Sequence, residues 1–448
     1  MQQIQTFCAS ILETLLCWPF IIYVILIGTI CTIAFGFVQF KYFFRSWKAA
    51  FCPEKPTVTT KAADMSPFQA FLNALNASIG NGTLAGIATA IAIGGPGAAF
   101  WILAISIILM ALRFAEVYLS AYYSSKALVG TVIGGPMLYL KEINPFLPYL
   151  YAIFCLFFSF ASGCAMQANS INLGFEMAFG LNTAWVISTL IALFVGYILI
   201  GGSARVAKLS EAIVPFKVGL FFSTALIIFI YNYNAIIPSL ILIIKSAFNP
   251  AAATGGLIGY TIQHAMREGI SRSISSTESG LGTAGILFGS TGSKEPFKDG
   301  IMGMLSSFIS SLAAFITALL IMVTGAWKSG LLSTSLVSQA YGSVFGTLGN
   351  WIVMILSVSF GIGVLVTYSY VSKEAWLFLT KKRYGWLFGI LFCLTAFAGP
   401  LINVNRVWYL VEIASALMIF LNLFGVLWLI PVIRSGIKRH TENKQTNI

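Results

Sequence analysis

Apolar residues along this chain do not alternate with polar ones. They run for about 20 residues at a time, the length a helix needs to cross the hydrocarbon core of a bilayer. Eleven such windows can be drawn, at residues 16–40, 67–94, 97–124, 147–175, 183–202, 209–231, 256–290, 301–325, 349–378, 385–402 and 407–433. The second and seventh are weaker because small and polar residues interrupt them. One interruption is Ser78-Ile79-Gly80-Asn81-Gly82-Thr83-Leu84-Ala85-Gly86; the other runs from Ser275 to Gly285. Glycine in a helix interior costs about 1 kcal/mol relative to alanine, so both runs predict an unwound turn. Within a membrane, unwound backbone is tolerated only where the freed groups line a cavity or meet other protein.

The windows also predict an organisation. Residues 1–48 form an extra N-terminal transmembrane helix, followed by a polar linker, 49–66, with Pro53 and Pro56. The other ten windows divide into two five-helix repeats, 67–231 and 256–433, joined by a connection at 232–255 and followed by a basic tail at 434–448. Each repeat opens with its most glycine-broken helix, and the breaks share a core, Gly80-Asn81-Gly82-Thr83 in one and Gly280-Leu281-Gly282-Thr283 in the other. Paired breaks at matching places in two halves point to the midplane site of an inverted-repeat transporter. The expectation is an all-α polytopic membrane protein of about 11 transmembrane helices, a 5+5 inverted repeat with two broken helices plus one N-terminal helix.

Composition agrees: 58% of the residues are hydrophobic and 9% charged, against about 25% charged in soluble proteins. The net charge of +12 would suit nucleic acid only if it were clustered. With the N-terminus outside, nineteen Lys and Arg fall in loops on one side, among them Lys41, Arg45, Lys48, Lys55, Lys61, Lys294 and Lys298, and only Lys245, Lys328 and Arg406 on the other. That asymmetry predicts an N-out, C-in topology, with the bilayer and not nucleic acid as the surrounding partner. No Lys or Arg precedes Leu15, so the first window is expected to be a retained helix and not a signal peptide. The seven cysteines, including Cys17, Cys31, Cys155, Cys164 and Cys393, show no metal-ligand spacing and are expected as small hydrophobes.

Enzymatic readings find little support. There is no Ser/His/Asp spacing, no HExxH and no P-loop, and only two histidines. Gly280 to Gly285 fits the dinucleotide glycine pattern, but no strand precedes it. The sequons at Asn76 and Asn81 lie inside an expected span and are inert. His264 is expected as a core histidine.

Binding chemistry concentrates at the breaks. Free amides at Gly80, Asn81, Gly82 and Thr83 suit a carboxylate, and carbonyls near Asn76 and Ile79 suit a cation. In the second break Ser275, Ser276, Thr277 and Gly280 are the matching substrate-binding candidates, and Glu278 is the candidate clamp or coupling carboxylate. On the fourth span Gly163, Met166, Gln167, Ser170 and Gly174 share one face, where Gln167 offers donors and an acceptor to a zwitterion; Asn169 points elsewhere. Arg113 and Glu116, three apart on the third span, are expected to pair. Small-residue helix packing at Gly82 and Gly86, and a purely structural role for Gln167, are the competing explanations.

The chain resembles the alanine or glycine:cation symporter family. The matching runs are Ala85 to Ile91, Gly94 to Trp101, Phe114 to Glu116, Gly134 to Met137, Met166 to Ser170, Gly201 with Arg205, Lys208 and Glu211, Val214 to Phe216, Ala247 to Gly256, and Glu278 to Gly282. The resemblance implies a leucine-transporter-type fold in the plasma (inner) membrane of a prokaryote. It also implies sodium-driven symport of alanine, glycine or D-alanine by alternating access, with no cofactor beyond the coupling sodium ion. No signature of oligomerisation is visible, and a monomer is expected. Three departures from the family pattern stand out. Asn81 and Thr83 are exchanged, Ser275 stands where the family has Phe, and Val364 and Leu365 stand where the family's hydroxyls would help hold sodium, leaving Ser357, Ser359 or Thr367 as cation ligands in a shifted register. Proton coupling, a transport-defective amino-acid sensor and a channel are the alternative readings.

Overall fold

The computed structural model describes residues 18–52, 64–126, 134–248, 262–402 and 404–445. Cys17, Pro53, Pro56, Lys55, Lys61 and most of the Ala247 to Gly256 run lie outside them. The described residues form helices and connecting turns without a strand. The principal helices are α1 (Trp18–Ala34), α2 (Pro67–Ser78), α3 (Gly82–Gly94), α4 (Gly97–Lys126), α5 (Leu147–Phe179), α6 (Ala184–Tyr231), α7 (Ile262–Thr277), α8 (Thr283–Gly289), α9 (Pro296–Val323), α10 (Leu348–Leu379), α11 (Gly385–Leu401) and α12 (Val404–Trp428).

By length and apolarity, six helices could cross a membrane; the bent pair α2 and α3, inclined at 46°, makes a seventh. The other expected windows fall on the shorter α1 and α11 and on the pair α7 and α8. The count of eleven crossings thus rests on hydropathy and charge. The windows 183–202 and 209–231 follow one another without a long loop, as two helical stretches, together α6, that meet at a kink where Gly202 takes φ 60° and ψ −157°, a conformation open to glycine; the break falls at the end of the first window. Helices at Phe43–Phe51, Tyr233–Phe248, Ser333–Phe345 and Ile430–Gln445 occupy segments expected to be connections or tail.

Local signals explain where α2 begins. Ser66 and Gln69 form a capping box: Ser66 Oγ accepts from the Gln69 amide at 3.2 Å, and Gln69 Oε1 accepts from the Ser66 amide at 2.8 Å. Pro67 occupies the first turn, where its missing N–H is no loss. Replacing Ser66 with alanine is expected to destabilise the protein by about 1 kcal/mol, read as a lowered thermal midpoint in detergent.

α4, α9 and α10 are mostly buried, whereas the most apolar stretch of α6 is mostly exposed, and the helix presents Trp185, Leu190, Leu193 and Ile200 outward. An apolar exterior of that extent suits lipid. At one end of the bundle Arg45, Lys48, Lys294, Lys298 and Arg439 line a shared basic cleft. His264, expected in the core, is exposed, although its backbone carbonyl lies against Gly94 and its neighbour Ala265 is buried: the imidazole stands on the outer face of the first turn of α7.

Candidate functional site

The first break is built from Ile79 to Asn81. α2 stops at Ile79 (φ −92°, ψ 76°), whose amide still donates to the Leu75 carbonyl at 2.9 Å. Gly80 lies against α10, where a β-carbon would stand 2.6 Å from Val364 Cγ2. The chain then re-enters helix through a π turn, Gly82–Gly86, a geometry that recurs at functional sites.

Of the amides expected to hold a carboxylate, two are engaged within the protein. Asn81 N donates to Gln167 Oε1 at 3.4 Å, and Thr83 N donates to the Gly80 carbonyl at 2.9 Å. The Asn81 side chain is fastened too: Nδ2 reaches Gln167 Oε1 at 3.3 Å and the Ser357 carbonyl at 3.1 Å, and Oδ1 accepts from Ser357 Oγ at 2.9 Å. Gln167 Nε2 donates to the Ser162 carbonyl at 3.1 Å. Asn81, Gln167 and Ser357 therefore form one buried network joining the break to α5 and α10. The helix face expected on α5 does turn this way, since Gly174 packs on Ser357 and the Ser170 carbonyl accepts from its hydroxyl at 3.0 Å. Asn169 instead binds the Gly399 and Ile402 carbonyls, at 3.2 and 3.3 Å.

The second break needs three left-handed residues in five, Glu278 (φ 54°), Gly280 (φ 91°) and Gly282 (φ 83°). Arg113 and Glu116 do pair, at 2.9 Å, and the pair does more than neutralise itself. Arg113 donates to the Thr277 carbonyl at the end of α7. Glu116 Oε2 accepts from the Gly282 amide before α8 at 3.0 Å, and from Asn422 Nδ2 at 3.0 Å. A cation thus meets the carbonyl end of one half-helix and an anion the amide end of the other, as the helix dipoles favour. Asn422 also donates to the Gly280 carbonyl at 2.8 Å. Glu278 Oε1 accepts from the Tyr368 hydroxyl at 2.6 Å, and Oε2 from Thr283 Oγ1 at 3.0 Å.

Between the breaks lies a cavity of about 110 Å³ lined by Gly82, Gly86, Ser162, Met166, Ser271, Arg272, Ser275, Glu278, Leu281, Glu412 and Ser415, among others. Two half-helices and the π turn Ser159–Ala165 of α5 share its wall. Ser275 and Gly82 face it. Ser276 and Thr277 turn away, their hydroxyls bonded to the Ser273 carbonyl at 3.2 and 2.9 Å; Gly280 packs on Ile419 and Leu423. Arg272, Glu412 and Ser162 were not singled out as site residues from sequence. A lone carboxylate in the last span and an arginine just before the break were the signals available.

The expected cation ligands separate. Ser357 Oγ is committed to Asn81 and Ser170, Ser359 Oγ donates to the Leu356 carbonyl at 2.9 Å, and Thr367 Oγ1 donates to Asn73 oxygens. None of these hydroxyls is bonded at the Asn76 and Ile79 carbonyls. Those two carbonyls instead accept from Lys217 Nζ, at 3.2 and 2.7 Å. Lys217 is a span residue to which the sequence assigned no role.

A bundle of apolar helices with two broken segments around a small cavity edged by polar side chains is the architecture of a membrane transporter. Comparison with known proteins narrows the class. The profile of the sodium:alanine symporter family matches residues 1–448, and the chain belongs to that family. It is 30% identical over 438 residues to the sodium/alanine symporter AgcS of Methanococcus maripaludis, covering 95% of each chain. It is 31% identical over 427 residues to an uncharacterized transporter of Haemophilus influenzae, covering 94% of this chain and 92% of the other. The probable sodium/glutamine symporter GlnT of Bacillus subtilis is 32% identical over 390 residues, with 85% and 80% covered.

Proposed function

We propose that this chain carries a small neutral amino acid, of the size of alanine, glycine or D-alanine, across the plasma membrane of a prokaryote by alternating access, coupled to a cation gradient. The observation that carries this reading is the cavity shared by both breaks. Its 110 Å³ is several times the roughly 10–15 Å³ that a single water needs on the same measure, and suits one small zwitterion. Arg272 and Glu412 both line the cavity and act on one another electrostatically, a pairing of opposite charges that a zwitterion's carboxylate and amine match. The names of the relatives support amino acids as the cargo class, and the charge asymmetry of the loops supports the basic end of the bundle as cytoplasmic.

The test is counterflow in proteoliposomes, in which unlabelled amino acid inside draws labelled amino acid in. Labelled alanine or glycine is expected to exchange at least tenfold faster than leucine or phenylalanine, since a side chain several methylenes larger overfills such a cavity by about 1–3 kcal/mol. Ligand binding without exchange of any small amino acid would favour a sensor; flux that grows without saturation would favour a channel.

A further inference from the structure

The carbonyl end of the first half-helix is the place where a broken membrane helix attracts a cation, and in this protein a side chain already stands there. Lys217 lies in α6, is wholly buried, and has its Nζ 2.7 Å from the Ile79 carbonyl and 3.2 Å from the Asn76 carbonyl. Its remaining surroundings are those of a cation seat. Nζ stands 5.6 Å over the Phe360 ring, within reach of a cation–π attraction. A β-carbon at Gly363 would come within 2.9 Å of Nζ and 2.5 Å of Asn76 Oδ1, a buried oxygen with no hydrogen-bond donor of its own. Glycine at 363 is thus what lets the ammonium and a third oxygen crowd against α10. Among the described residues no carboxylate forms an ion pair with Lys217. A buried charge needs compensation, and here it comes from backbone carbonyls left over by the break, from the helix dipole behind them and, beyond ion-pair distance, from the field of the Glu278 carboxyl group.

We infer that the Lys217 ammonium is a tethered cation occupying the seat at the first break, so that transport proceeds without sodium bound to the Asn76 and Ile79 carbonyls and needs no sodium for exchange. The inference rests on the reading of this chain as an amino-acid transporter. A free sodium ion would need the same two oxygens and would sit beside a like charge. A second tethered cation strengthens the pattern. Arg113 holds the Thr277 carbonyl at the end of α7, so each break has its carbonyl end met by a side chain of the protein.

The test uses the full chain in two arms, alanine counterflow in proteoliposomes and thermal unfolding in detergent, each in sodium chloride and in choline chloride at equal ionic strength. The wild type is expected to exchange alanine within about twofold of the same rate in both salts, less than half of the 1.4 kcal/mol that a tenfold change represents, and its thermal midpoint is expected not to respond to sodium. Lys217→Met keeps the aliphatic stem and removes the charge. It is expected to slow at least tenfold in choline and to be restored by sodium along a saturable curve, with a midpoint that rises with sodium. A wild type that exchanges at least tenfold faster in sodium, or gains thermal stability saturably with it, overturns the inference, and so does a Lys217→Met variant indifferent to sodium. Should that variant not be recovered folded, the wild-type arms decide: sodium dependence overturns the inference and independence upholds it. Failure of every small amino acid to exchange would sink the transport reading alone, because the unfolding arm still reports whether sodium binds.

Discussion

Replacing Arg113 with alanine is expected to destabilise the protein by about 3–5 kcal/mol, the usual consequence of leaving a buried carboxylate without its cation. Two losses combine in this variant. Glu116 is left inside the bundle with only the Gly282 amide and Asn422 to hold its carboxyl group, and the Thr277 carbonyl loses the guanidinium that meets it. Removing both charges with residues of similar volume, as in Arg113→Met with Glu116→Leu, is expected to recover much of the loss, since hydrophobic replacements of buried pairs are often neutral. Thermal unfolding of the three proteins in detergent measures both effects. An Arg113→Ala midpoint equal to that of the wild type would mean that the pair does not clamp the second break.

The second large effect is expected at Gly282. Its φ of 83° is strained for any residue with a β-carbon, and that carbon would stand 2.3 Å from Pro136 Cγ and 2.7 Å from the Tyr151 hydroxyl, which itself donates to the Leu281 carbonyl at 2.7 Å. Gly282→Ala thus combines about 1–3 kcal/mol of backbone strain with a similar cost of overpacking. The expected outcome is a large fall in thermal midpoint and loss of alanine exchange. Gly325→Ala provides the control, because Gly325 has φ 72° but open space where its β-carbon would go. It is expected to show the strain alone. Equal effects at the two positions would place the cost in the backbone and not in the packing of the break.

Much of this was legible in the chain. The two breaks announced themselves through glycine in otherwise apolar windows, and the Arg113–Glu116 pair through its spacing on one helix. The face of α5 that carries Gln167 was visible as a period, and the structure turns it toward Asn81 and Ser357. What could not be read was which polar groups satisfy one another. Asn81, Thr83, Ser276 and Ser357 have the chemistry of ligands, but their partners lie up to 276 residues away in sequence or one turn back on the same helix. Only the packing decides between them and the cavity. Lys217 was hidden for a related reason. Its neighbours in sequence are apolar, and the carbonyls that give it meaning belong to α2, 138 and 141 residues earlier.

Tyr368 has a mechanical consequence. Its ring lies on Gly163 of α5, where a β-carbon would stand 2.3 Å from Cγ, while its hydroxyl holds Glu278 at 2.6 Å. α10 is thereby a strut between the cavity-lining π turn and the second break. Swinging α7 away from α5 must either take α10 along or leave a buried hydrogen bond unmade, a penalty of about 1–3 kcal/mol. If transport proceeds by alternating access as proposed, that sets an energetic floor under one direction of opening and makes the moving body larger than the two broken helices alone.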